Sequence, residues 1–199
     1  MLKNLYQNKI LYRYFCYFLI YLIIGNSLIN LTKNNFLPET LYNDVIQYFN
    51  KKDFEETYQP KNIFYGNRYQ AYPCYQKHIH SGNLYDFMKD ILKKIIDKDF
   101  NLALTLRKVY SEELLKSKVN TKYGLKHKDD SDFAGVISLD QTVDGGTAFY
   151  YNDCDKYPDI EIGAFPNRMV LYRGKRWHAP CHDFTFDIRK NICFFIFYK

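Results

Sequence analysis

Three residues in the second half of the chain have side chains that could bind a single metal ion. His127 and Asp129 are separated by one residue, and side chains two apart in an extended segment project to the same side. An imidazole and a carboxylate can therefore reach one ion from one segment, although an isolated His-x-Asp pair is more often part of a solvated loop. His178 supplies the third donor, in a Trp-His-Ala sequence that follows a short apolar run and a glycine.

Two imidazoles and one carboxylate on one face of an iron ion leave its other positions open, as non-heme Fe(II) oxygenases require. Arg189 opens the last apolar run of the chain, and its guanidinium is suited to hold a buried carboxylate because it pairs with both oxygens and stays charged. Lys190 is the alternative for this role. It points to the opposite face if the strand begins at Arg189.

The other three histidines, His78, His80 and His182, are weaker candidates for metal binding. His78 and His80 have the right spacing but no matching carboxylate nearby, and because they precede a helix we expect a surface turn there. His182 is expected in a loop, although its closeness to His178 makes it an alternative ligand.

Trp177 and the Gly145-Gly146 pair could each belong to a binding site or have a purely structural role. Trp177 could shape the mouth of a substrate site, but a packing aromatic is the simpler expectation. The two glycines could cradle a phosphate, yet no lysine or helix follows them, so a tight turn between strands is favoured.

Two amphipathic helices are expected before the candidate ligands. Pro38 is well placed in a first helical turn, and Leu41, Val45 and Phe49 then recur at helical spacing. A second, clearer stripe predicts a packing helix. Its apolar members are Leu84, Phe87, Met88, Ile91, Leu92, Ile95 and Ile96.

Strand-like alternation begins at Leu102 and continues to the end of the chain. Turn signals such as Asp144-Gly145-Gly146 and Phe165-Pro166-Asn167 separate the runs. The further strand candidates are Phe133–Leu139, Thr147–Tyr151, Ile160–Ile162, Arg168–Tyr172 and Ile192–Tyr198. Helices followed by many short strands predict an α+β, mainly β fold, a β-sandwich or jelly roll backed by helices.

The composition is that of one globular domain. The chain has 199 residues and is 47% hydrophobic, and its 20 Tyr and 16 Phe favour strands. The net charge of +6 comes from 28 Lys and Arg scattered among 22 Asp and Glu, whereas a nucleic-acid site would cluster them, so no nucleic-acid partner is expected.

The first 33 residues have the character of a signal sequence or membrane anchor. Residues 14–24 are unbroken apolar or aromatic after Lys3, Lys9 and Arg13, and cleavage after Ser27 fits the small residues there. An uncleaved anchor across residues 14–31 would attach the chain to a membrane of the secretory pathway. The alternative is an extra hydrophobic helix or an extension of a cytoplasmic protein.

The five cysteines show neither a CxxC pair nor zinc-finger spacing. Outside the N-terminal segment, Cys74, Cys154, Cys181 and Cys193 could pair if the domain, which spans residues 34–199, lies in an oxidising compartment. In a reducing compartment they are ordinary thiols.

The order of these motifs from about Asn35 to Lys199 resembles the prolyl-hydroxylase-type Fe(II)- and 2-oxoglutarate-dependent oxygenases. The ordered set is more specific than any one motif. It runs from His-x-Asp through a strand, Gly-Gly-Thr at 145–147, a second strand, Pro-Asn-Arg and two hydrophobic residues at 166–170, and Trp-His-Ala at 177–179 to Arg189 and its hydrophobic strand.

The resemblance implies a double-stranded β-helix whose iron is bound by His127, Asp129 and His178. It also implies that Arg189 holds the far carboxylate of 2-oxoglutarate. The chain departs from the family at Ser138, where many relatives have a tyrosine that touches the co-substrate, and in a slightly longer loop between His178 and Arg189.

The implied activity is hydroxylation of a C–H bond with Fe(II), 2-oxoglutarate and O2, supported by ascorbate and yielding succinate and CO2. A peptide or protein side chain is the leading substrate by analogy, and a small molecule is the alternative. The rival functions are a jelly-roll binding module without turnover and a membrane-tethered interaction domain.

Overall fold

The computed structural model describes residues 31–50, 62–65, 68–71, 75–110, 122–124, 126–139, 145–181 and 188–199. Within these ranges no helix is long and apolar enough to cross a membrane. Residues 14–30 of the predicted signal or anchor segment lie outside the described residues, as do Cys16 and Cys74. Among the described residues, Cys154, Cys181 and Cys193 form no disulfide bond.

Two helices and eleven strands make up the described part of the chain. The helices are α1 (Glu39–Asn50) and α2 (Asn83–Ile96). The strands are β1 (Leu31–Lys33), β2 (Asn62–Tyr65), β3 (Arg68–Ala71), β4 (Tyr75–Ile79), β5 (Phe100–Tyr110), β6 (Phe133–Ser138), β7 (Gly146–Tyr150), β8 (Ile160–Gly163), β9 (Arg168–Arg173), β10 (Trp177–Cys181) and β11 (Ile188–Tyr198).

The strands form a major and a minor antiparallel sheet. The major sheet has the order β1-β9-β6-β11-β5-β4, and the minor sheet has the order β10-β7-β8. Strands β2 and β3 form a separate hairpin. The minor sheet is extended by an irregular segment along β10, since Tyr123 forms a bridge with Cys181 and His127 forms one with His178.

One face of the major sheet is covered by the helices. Met88 and Leu92 of α2 are fully buried, as the amphipathic stripe predicts. On β11 the residues Ile192, Phe194 and Ile196 belong to the same core cluster, because every second side chain of a strand points to the same face.

The other face of the major sheet packs against the minor sheet. Ala134, Val170 and Tyr172 of the major sheet form one buried cluster with Phe149 of the minor sheet. The predicted jelly-roll core backed by N-terminal helices is therefore confirmed.

Asn167 attaches the start of the helical layer to the sheets. Its backbone adopts a left-handed conformation with φ of 56°, which asparagine tolerates better than most residues. Its side-chain amide accepts a hydrogen bond from the Leu37 N–H and donates one to the Leu37 carbonyl, both at 2.8 Å. These bonds fix the chain just before α1.

Five strands, β1 to β4 and β10, are not predicted from the sequence. Strand β10 carries His178 but also Pro180, so its sequence resembles a loop. Strand β4 contains His78, which corrects the surface turn expected around His78 and His80. Strand β1 pairs with Met169–Leu171 of β9, so the major sheet includes three residues of the segment 1–33.

Candidate metal centre

The backbone brings His127 and His178 directly opposite each other. The His127 N–H donates to the His178 carbonyl at 2.9 Å, and the His178 N–H donates to the His127 carbonyl at 3.0 Å. The two ring centroids are 4.3 Å apart. The Asp129 N–H donates to the Gly174 carbonyl at 2.8 Å, so the third residue is also fixed by backbone pairing.

The three side chains converge as the ligands of one ion would. One donor atom from each of His127, Asp129 and His178 lies within 4.8 Å of the others. Asp129 Oδ1 is 3.7 Å from His127 Nε2, and Asp129 Oδ2 is 3.2 Å from His178 Nε2. In the described part of the chain, this is the one cluster of His, Cys, Asp or Glu side chains with such a geometry.

A hydrogen bond to the backbone orients the His178 ring. His178 Nδ1 lies 2.9 Å from the Arg176 carbonyl oxygen, which can only accept, so Nδ1 carries the proton. Nε2, which lies 3.2 Å from Asp129 Oδ2, is then the ring nitrogen that would bind a metal ion. A second-sphere hydrogen bond of this kind is typical of metal-binding histidines, so the donor set fits a divalent ion.

Asp129 is anionic in this environment. Burial raises the pKa of its carboxyl, but the hydrogen bond with His178 and the nearby positive charges of His178, His127 and Arg107 together hold that pKa below its ordinary value. A carboxylate that is ionised and mostly buried beside two imidazoles is suited to bind Fe(II).

Tyr172 is a residue of the site that the sequence does not reveal. Its hydroxyl lies 3.2 Å from His178 Nε2 and 3.4 Å from Asp129 Oδ2. Burial, together with the charge of Asp129, raises the pKa of this phenol well above its ordinary value, so the hydroxyl keeps its proton. In the sequence Tyr172 ends an apolar strand and resembles an ordinary core aromatic.

Arg189 lies on the inner face of the major sheet and is only 8% exposed. Its guanidinium donates to the Cys181 carbonyl at 2.9 Å and to the Gly146 carbonyl at 3.3 Å, which links β11 to the minor sheet. A Cβ atom added at Gly145 would lie 3.4 Å from the guanidinium carbon.

The strand register separates the roles of Arg189 and Lys190. Arg189 pairs with Val109, and Lys190 pairs with Lys108. Lys190 shares the face of Ile192, which packs under the helices, whereas Arg189 shares the face that meets the minor sheet. The register thus places Arg189, and not Lys190, on the same side of the sheet as Tyr172.

A row of polar residues crosses the inner face of the major sheet. Arg107 pairs with Gln76 on one side and with Asn191 on the other, and Asn191 pairs with Ser138. Arg107, Asn191 and Ser138 are half-buried. The charge of Arg107 also acts on Tyr172 and Asp129, so this row lies beside the candidate ligands.

The other predicted candidates lie away from the metal cluster or outside the described residues. His78 lies on the edge strand β4, and its Nδ1 atom is 3.0 Å from the hydroxyl of Thr105 on β5. His80 is exposed. Trp177 packs on the outer face of the minor sheet, opposite His178, as a packing aromatic would. His182 lies outside the described residues.

Solved structures with this arrangement of sheets and helices include two prolyl hydroxylases that are distant in sequence. A prolyl-4-hydroxylase from Pseudomonas putida matches with a TM-score of 0.62 and 14% identity, over 87% of this chain and 94% of that one. A prolyl hydroxylase from Trichoplax adhaerens, in complex with a peptide fragment of a hypoxia-inducible factor, matches with a TM-score of 0.60 and 13% identity, over 87% and 85%. The fold is that of the 2-oxoglutarate oxygenases.

Proteins that share this oxygenase fold carry out more than one reaction. The alpha-ketoglutarate-dependent carbocyclase SnoK from nogalamycin biosynthesis matches with a TM-score of 0.58 and 10% identity, over 84% of this chain and 78% of that one. No family model matches the chain, and no curated protein sequence matches it.

Proposed function

We propose that the protein is an Fe(II)- and 2-oxoglutarate-dependent dioxygenase that hydroxylates a C–H bond. The observation that carries this proposal is the convergence of His127, Asp129 and His178 on one point inside an oxygenase fold. In the overall reaction one oxygen atom of O2 enters succinate and the other enters the hydroxylated product, while the C1 carboxylate of 2-oxoglutarate leaves as CO2.

The protein residues hold and orient the reactants. The two imidazoles and the Asp129 carboxylate would bind Fe(II) from one face and leave the opposite face open. The bound iron would supply the oxidising chemistry, which no side chain in the site can provide. Phe149, Tyr172 and Val170 form a buried cluster between the two sheets, and the rings of Phe149 and Tyr172 lie next to His178.

Arg189 is proposed to bind the far carboxylate of 2-oxoglutarate. It is buried on the inner face of the sheet, and a buried guanidinium that already donates to two carbonyls still has N–H groups for a carboxylate. Ser138 and Asn191 lie on the same face and offer further hydrogen bonds to the co-substrate. Arg107 is a second cation in this region that the sequence does not single out.

A peptide or protein side chain is the proposed substrate. The structural relative from Trichoplax adhaerens is a prolyl hydroxylase in complex with a peptide fragment, and the same fold spans most of both chains. The rival function is a jelly-roll binding module without turnover. It is disfavoured because a module of that kind has no need for a metal-ligand set together with a buried arginine.

Consumption of 2-oxoglutarate tests the proposal. We expect the purified protein to form succinate from 2-oxoglutarate under air with Fe(II) and ascorbate, and we expect Asp129→Ala to abolish this activity together with iron binding. The assay requires only the slow conversion of 2-oxoglutarate to succinate in the absence of the molecule to be hydroxylated. The absence of succinate together with retained metal binding would favour the binding module.

Three variants separate the co-substrate role from the metal role. Arg189→Ala should leave metal binding nearly intact and raise the 2-oxoglutarate concentration needed, since truncating one member of a buried charge pair costs about 2 to 5 kcal/mol. Lys190→Ala is the matched control on the opposite face and should behave as the parent. If Arg189→Ala binds 2-oxoglutarate normally and Arg107→Gln does not, Arg107 is the clamp.

A further inference from the structure

The hydroxyl of Tyr172 lies beside two of the candidate metal ligands. It is within 3.4 Å of donor atoms from two of the three proposed ligands, His178 and Asp129. We propose that Tyr172 is a positioning residue whose O–H donates to Asp129 and holds that carboxylate in a single orientation at the metal. This inference rests on the metal centre of the proposed function.

Metal binding leaves Asp129 as the acceptor for this hydroxyl. Without metal, the phenol lies close to both His178 Nε2 and Asp129 Oδ2. A metal ion would take the Nε2 lone pair, because His178 Nδ1 is already engaged with the Arg176 carbonyl. Of the two acceptors, only the Asp129 carboxylate then has a lone pair left for the phenol proton.

Packing prevents the phenol from turning away. Tyr172 is 4% exposed, and its ring makes an edge contact with Phe149 at 5.1 Å between centroids and lies 4.7 Å from the His178 ring. An aromatic ring in such surroundings has few alternative rotamers. Its hydroxyl would lose a hydrogen bond in a buried place if it moved away from Asp129.

Holding one oxygen of Asp129 has a consequence for the open positions of the metal. A carboxylate that binds an ion through both oxygens occupies an additional coordination position, which a bidentate co-substrate and O2 would otherwise use. A hydrogen bond from Tyr172 to Asp129 Oδ2 would favour Oδ1, on the side of His127, as the atom that binds the metal. Tyr172 would thereby keep the face of the metal open.

Tyr172→Phe removes the hydroxyl and keeps the ring, so it tests this role with little change in packing. Tyr150→Phe is the matched control, because Tyr150 is also buried but lies on the outer face of the minor sheet. The probe is Co(II) alone, titrated into each protein and followed by its visible absorption. This absorption reports both the affinity and the number of bound ligand atoms.

We expect Tyr172→Phe to bind Co(II) about 10- to 100-fold more weakly than the parent, the usual effect of removing a second-sphere partner. Its metal-saturated spectrum should also change, which a purely structural role would not cause. Tyr150→Phe should match the parent in both respects. Identical affinity and spectrum in Tyr172→Phe would overturn the inference.

Two further results would also overturn the inference, and they distinguish it from the proposed function. If the parent binds no Co(II), the metal centre itself is wrong and the proposed function fails with it. If the parent loaded with Fe(III) shows the visible charge-transfer band of an iron–phenolate, Tyr172 is a ligand and not a positioning residue. This last measurement requires no variant, so it remains decisive if Tyr172→Phe does not fold.

Discussion

His127 and His178 exchange two backbone hydrogen bonds, so their imidazoles are held side by side, with ring centroids 4.3 Å apart, before any metal binds. The main chain thus fixes the separation of two proposed ligands that lie far apart in the sequence. Asp129 is held by a third backbone bond, to Gly174. A site built in this way is preorganised, and its geometry depends on strand pairing more than on side-chain packing.

The lowered pKa of Asp129 predicts a stability difference that depends on pH. Because the folded-state pKa is below the unfolded value of about 3.9, the ionised group stabilises the metal-free fold above that pH, and this contribution is lost as the pH falls through the folded-state pKa. The free energies of unfolding of the parent and of Asp129→Asn, measured with urea, should differ near neutral pH and converge in acid. A difference that stays constant across the acid range would contradict this.

Gly135 tests the register of β6 and β11. A Cβ atom added there would overlap the ring of Phe194, its partner on the neighbouring strand. We expect Gly135→Ala to lower the free energy of unfolding by about 1 to 3 kcal/mol, as overpacking usually does. Adding Phe194→Leu should relieve part of that cost. The double variant should therefore lose less free energy of unfolding than the sum of the losses of the two single variants. Strict additivity would show that the two residues are not in contact.

Asn167 tests how the helical layer is attached. Asn167→Ala removes two buried hydrogen bonds to Leu37 and puts alanine in a left-handed conformation, so we expect a loss of about 2 to 4 kcal/mol in the free energy of unfolding. Asn34→Ala is the control. It removes one exposed bond to Arg168, and its effect should be within about 0.5 kcal/mol. Equal effects of the two substitutions would contradict this role.

The sequence predicts most of the fold because most elements have a strong period. The stripe of α2 and the alternation of β5 and β11 each persist over many residues, and the apolar side of each pattern is buried in the helix-facing core. Strands β4 and β10 could not be recognised in the same way. They are short, and their polar residues and Pro180 are accommodated only because neighbouring strands supply the pairing.

The site was partly predictable for a similar reason. His127, Asp129 and His178 carry a spacing that points to metal chemistry, whereas Tyr172 and Arg107 lie in strands where an aromatic or a basic residue needs no special explanation. Their proximity to the ligands arises from strand register alone. A pattern within one segment cannot reveal a residue whose role depends on its neighbours in space.

Calorimetric titration of Mn(II) in the presence and absence of 2-oxoglutarate tests the central claim most directly. The parent should bind a single Mn(II) ion, more tightly with 2-oxoglutarate. His178→Ala should bind none, and His80→Ala, which changes an exposed histidine outside the site, should bind as the parent does. Binding that persists in His178→Ala, or is lost in His80→Ala, would contradict the assignment of the metal to His127, Asp129 and His178.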